Sequence, residues 1–155
     1  MTEPGPENDY LGEHAELLIS SYRRIVGREL VAEKGSREKM ARVLYEAPYG
    51  VVSHGAGDDP VFNYGNRTAL KLFEMRWRDF VKLPSRESAE VVNREMRQKL
   101  LERVNQFGFV DGYQGVRISS SGRRFRIEDT TVWNVVDESG LYRGQAAVFF
   151  RWSAL

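Results

Sequence analysis

The chain has no cysteine in its 155 residues. Disulfides, zinc–thiolate sites and any mechanism needing a thiol nucleophile or thiol adduct are therefore excluded. Histidine is nearly as scarce, with only His14 and His54. A dominant charge is also missing: 23 Lys+Arg against 22 Asp+Glu leave a formal +1, too weak a field to recruit nucleic acid or an anionic membrane. No stretch approaches the ~20 apolar residues of a membrane span. The opening MTEPGPENDY carries acids and prolines where a secretory signal needs basic residues and an apolar run. The expectation is a cytoplasmic protein with neither nucleic acid nor membrane as partner.

Hydrophobic residues at 41% beside 29% charged describe an ordinary globular chain rather than a disordered one. At this length one domain is the default, and it buries roughly 70% of its unfolded surface. The densest structural signal is RISSSGRRFRIEDTTVWNVVDESGLYRGQAAVFFRW, Arg117 to Trp152. It reads as three antiparallel strands joined by turns at Ser121-Gly122 and Asp137–Gly140, each a short polar run with a late glycine between β-branched and aromatic segments. Thr131, Trp133 and Val135 alternate with Val132 and Val136, and Ala146, Val148 and Phe150 with Ala147 and Phe149. Both faces of this strand pair are thus apolar, and both need cover.

Upstream, Met1 to about Asn8 is a polar tail. From Tyr10 to Ala32 the positions Leu11, Ala15, Leu18, Tyr22 and Ile25 recur at helical spacing, with Gly35 placed as the stop. A second helix runs from Arg37 to Glu46, capped by Ser36 and ended by Pro48. Tyr49–His54 and Val61–Tyr64 read as strands around the turn GAGDDP. Asn66 caps a helix through Glu74, and a short helical piece holding Trp77 and Phe80 ends at Pro84. The longest helix starts near Ser85 or Ser88 and stops at Gly108, with Val92, Met96, Leu100, Val104 and Phe107 inward and a Glu95–Lys99 pair outward. Two strands before these helices and three after them make an α+β, five-stranded antiparallel sheet with helices on one face. The additional N-terminal helix is left to cover the other, from its own chain or from a twin subunit. A homodimer through the Leu11–Leu30 helix is the expectation.

LYEAPYGVVSHGAGDDPVFNYGNRTALKLFE resembles the opening of a PAS domain, and the C-terminal run resembles its three closing strands. More specifically, LPSRESAEVVNREMRQKLLERV, GVRISSSGRRFRIE, TVWNVVDESG and GQAA resemble the bacterial free-standing members of the MEKHLA family, from about Leu11 to Phe149. The string Met-Glu-Lys-His-Leu-Ala that names the family is absent. The resemblance divides the chain into a flexible tail (1–9), an N-terminal helix (10–35) and a PAS-like MEKHLA domain (36–155). It implies a sensory or regulatory module that binds a small molecule or a protein partner, without catalysis. The ligand is not implied. With no thiol, neither covalent flavin photochemistry nor a thiol-linked chromophore is open to it.

Candidate site residues follow from packing and from that resemblance. If Val136 pairs with Arg143 across the last turn, Asn134 stands opposite Gln145, on one face with Val132, Ala147 and Phe149. Two amides on an apolar face need partners: each other, nearby backbone, or a planar polar ligand. Phe62, Phe73, Trp77, Phe80 and Phe149 are core by type, and in a PAS-like fold they are placed to line a pocket. No metal site is expected, since Asp58 and Asp59 fit turn chemistry better. The alternatives are a haem- or flavin-binding sensor, the haem on His54, and a small α+β pocket enzyme using His54 with Asp58 or Asp59. His14 reads as surface, and Arg124 and Arg126 as the wet side of a strand.

Overall fold

A computed structural model describes residues 2–89 and 94–155, with the backbone alone at 94 and 97. Three long strands carry the sheet: β3 (Phe109–Ile118), β4 (Arg124–Val136) and β5 (Tyr142–Ala154), with the shorter β1 (Gly50–His54) and β2 (Phe62–Gly65) completing the order β2-β1-β5-β4-β3, antiparallel throughout. Gly122 and Gly140 sit in the two turns between the last three strands, as the sequence implies. Strand β3 is longer than the expected segment, because it begins directly after Gly108. Its register slips between Val110 and Tyr113 and again before Gly115, and those irregularities erase the alternation that marks a strand.

The inner face of the sheet carries α3 (Arg67–Phe73), α4 (Trp77–Phe80), a 3-10 turn at Ser85–Ser88, and α5 (Arg94–Phe107). Asn66 caps α3 by accepting from the Ala69 N–H at 3.1 Å. Helix α5 presents a narrower apolar seam than its sequence suggests. Leu100 and Val104 are buried, but Met96 and Phe107 are 68% and 65% exposed, because a seam one residue wide in each turn is all that reaches the sheet. Glu95 and Lys99 do pair, at 3.8 Å on the solvent side. Val92 lies outside the described residues.

The outer face is covered by the chain's own first helix, α1 (Gly12–Val26), which buries Ala15, Leu18, Ile19 and Tyr22. Tyr22 meets Trp133 edge-on at 4.8 Å, and the Trp133 indole N–H donates to Ser21 Oγ at 3.1 Å. The helix ends at Gly27 rather than running on to Ala32. Gly27 adopts φ +82° and its N–H caps the Tyr22 and Arg23 carbonyls, a left-handed stop that glycine takes without strain. Helix α2 (Arg37–Glu46) lies against α1, its start capped by Ser36. The polar N-terminus lies against the same helix, where Tyr45 donates to Glu3 and Asn8 bonds Thr2, Glu3 and Gly5. Among the described residues no helix is long and apolar enough to cross a membrane.

Candidate functional site

Between the inner face and α5 the packing leaves a cavity of about 60 Å³, counted as room for the centres of water-sized spheres. Val52, Val132, Ala147 and Phe149 form its floor, Leu100 and Leu101 close it from α5, and Phe62, Phe73 and Ile127 wall it. A few polar residues join them: Ser53, His54, Ser88, Arg117 and Gln145. An apolar enclosure with sparse polar groups is the ordinary make-up of a ligand site.

The two amides stand opposite each other, Asn134 across from Gln145. The anchor of that register is different. Val136 pairs with Tyr142, not Arg143, and a bulge before Gly144 absorbs the extra residue. Gln145 Nε2 lies 3.1 Å from Asn134 Oδ1, 3.1 Å from Asn105 Oδ1 and 3.3 Å from the Leu101 carbonyl, while Asn134 Nδ2 donates to the Val104 carbonyl at 3.1 Å. The pair thus bolts the C-terminal half of α5 to the sheet. Gln145 reaches the cavity; Asn134 stands behind it.

Of the aromatic candidates, Phe62, Phe73 and Phe149 line the space. Phe80 lies one layer back, stacked on Phe62 at 4.2 Å. Trp77 does not share the site: it packs edge-on against Tyr64 at 5.9 Å. Trp133, which alternates with Val132 and so takes the opposite face, is fully buried there. Sequence reasoning missed Ser88, Leu100, Leu101, Ile127 and Arg117 as a lining set. Leu100 carried a signal in its helical spacing; Arg117, within a strand that slips register twice, carried none.

His54 ends β1 at the cavity edge, where its Nδ1–H donates to the Gly55 carbonyl at 2.9 Å. Asp59 is engaged by Arg86 at 2.9 Å, so it is not the partner of His54. His14, read as surface, is half-buried. Its ring stacks on Tyr64 at 5.6 Å and its Nε2 lies 3.0 Å from Ser53 Oγ, which donates onward to Asn63 Oδ1. Burial, with the Arg143 charge beside it, lowers its pKa to about 4.

A family model, that of the MEKHLA domain, matches residues 12–154. The chain belongs to the MEKHLA domain family. Solved PAS structures share the fold of this MEKHLA domain. The PAS domain of a Colwellia psychrerythraea protein superposes with a TM-score of 0.63 at 12% identity, over 76% of this chain and 95% of that one. The photo-excited blue-light photoreceptor Vivid gives 0.58 at 14%, over 86% and 94%. The PAS domain of a LuxR-family transcriptional regulator from Burkholderia thailandensis, in complex with ethanol, gives 0.54 at 14%, over 74% and 95%. No curated protein matches in sequence. The cavity is well under the ~300–1,000 Å³ of pockets for drug-sized ligands, and with no cysteine in the chain a covalent flavin–thiol adduct cannot form.

Proposed function

We propose that this MEKHLA domain is a non-catalytic sensory or regulatory module of the cytoplasm, in which a small molecule enters the inner cavity and helix α5 reports its presence. The cavity itself carries the reading, because it lies between the sheet and an element tied down by little. Leu100 and Val104 are the buried apolar side chains of α5 among the described residues, and the Asn134–Gln145 amides supply the remaining bolt. A molecule seated there contacts α5 in one position of the helix more than in another, which is what a ligand needs in order to shift a conformational balance.

The test is a mass spectrum of the protein as purified from cells, native and then denatured, beside Ala147→Leu, whose larger side chain fills the floor. A small-molecule mass in the wild type, absent from the variant, is expected. The same bound complement in both proteins would put the molecule elsewhere and reject the reading. A homodimer through the outward side of the Leu11–Leu30 segment belongs to the same proposal. Sedimentation velocity should return the two-chain mass, and a single-chain mass would reject it.

A further inference from the structure

Every residue of β3 is exposed or half-buried except one, and that one is a cation. Arg117 is 8% exposed. Register places it opposite Phe125, which packs on Phe73 of the cavity wall at 5.2 Å. Arg117 itself lines the cavity.

Its partners are all neutral. Nη1 donates to the Val116 carbonyl at 3.0 Å, Nη2 reaches the Tyr113 hydroxyl at 3.4 Å, and the guanidinium lies 5.7 Å from the Tyr113 ring centre. A guanidinium has five N–H donors in a fork that matches a carboxylate, so the two bonds leave most of that fork unused. Among the described residues Arg117 makes no ion pair, although Arg23, Arg28, Arg37 and Arg86 on the surface each hold a carboxylate. Among the described residues the cavity lining contains neither aspartate nor glutamate. Burying a charge without a counter-charge is unfavourable, and here it is done beside an apolar cavity.

We infer that the cavity takes an anion, and that the anion is a short monocarboxylate whose carboxylate pairs with Arg117 while its alkyl end lies on Val132, Ala147 and Phe149. The inference rests on the cavity being a binding site, as proposed above. Size sets the chain length. About 60 Å³ of room for the centres of water-sized spheres, well below the room a drug-sized ligand takes, suits an acid of two to four carbons. A phosphate would leave the apolar floor uncovered.

Titration of the full chain with propionate and with propanamide, its neutral isostere, tests this, read by calorimetry and by the Ile127 methyl signal. Propionate should bind at least tenfold tighter to the wild type. In Arg117→Gln the two ligands should come within twofold, with propanamide affinity unchanged, and Arg117→Lys should keep part of the preference. Ligand-free Arg117→Met should melt no lower than the wild type, because the charge it removes has no partner. Equal binding of acid and amide to the wild type would overturn the inference and leave the cavity reading standing. A preference for acid that survives in Arg117→Gln, or an Arg117→Met protein that melts much lower, would also overturn it by making the arginine structural. If neither ligand binds and Ile127 does not move, the cavity reading falls and takes the inference with it.

Discussion

Asn66 stands where β1, α2 and α3 meet, and both atoms of its amide are fully used. Oδ1 accepts from the N–H groups of Val51 and Ala69 at 3.0 and 3.1 Å, and Nδ2 donates to the carbonyls of Leu44 and Tyr49 at 3.1 and 2.8 Å. The residue is fully buried, so Asn66→Ala takes a partner from four backbone groups, of which the Leu44 carbonyl alone keeps another, the Ala47 N–H. A loss of about 3 kcal/mol or more is expected in urea unfolding; a loss below about 1 kcal/mol would show that water replaces the amide. From the sequence only the capping bond to α3 was legible, because the other three partners are 15 to 22 positions away. His14 gives a pH-dependent prediction. Its folded pKa, about 4, lies below the ordinary 6.5 because of burial first and the Arg143 charge second. The unfolded chain therefore takes up a proton that the folded one refuses as pH falls from about 6.5 to about 4. Stability is full above that window and declines across it, by roughly 1–3 kcal/mol. His14→Gln, which keeps an amide within reach of Ser53, should show a smaller decline between pH 7 and 4.5. Equal declines in both proteins would contradict this.

Among the elements, the strand pair β4–β5 shows where sequence patterns suffice and where they stop. Asn134 does stand opposite Gln145, but not by the expected register, since Val136 pairs with Tyr142 instead of Arg143 and a bulge restores the match. The bulge beside Gly144 was hidden, because nothing in LYRGQ says which residue is left unpaired. Gly144 adopts φ +137°, and a Cβ there would sit 2.0 Å from the His54 carbonyl oxygen of the neighbouring strand. Both the backbone conformation and the contact exclude a side chain. Gly144→Ala should therefore lower stability by several kcal/mol, about 3 or more, and weaken amide protection in β1 first. A melt within two degrees of the wild type would contradict that. The early end of α1 has a comparable cause. Leu30 is buried, and so is Val31, so the apolar spacing continues beyond Gly27 although the helix does not. Burial of an irregular segment looks like helical periodicity when only spacing is read.

For the whole molecule, the fold was legible and the site only half so. Both faces of the β4–β5 pair read as apolar, which required a layer on each side, and α1 with α2 and α3 with α5 supply those layers. The cavity depends on what the sequence does not carry: how far α5 stands off the sheet, and which way a long arginine folds from a strand that slips register twice. The chain has four isoleucines, Ile19, Ile25, Ile118 and Ile127. One of them, Ile127, lines the cavity, while Ile19 is buried under α1 on the opposite face. The δ1-methyl spectrum of the intact protein is thus a direct reporter of where a small molecule goes. With a panel of short acids, alcohols and amides added in turn, at least one should shift the Ile127 signal and leave Ile19 in place. A panel that leaves Ile127 unmoved, or that moves Ile19 instead, would contradict the assignment of this cavity as the sensory site.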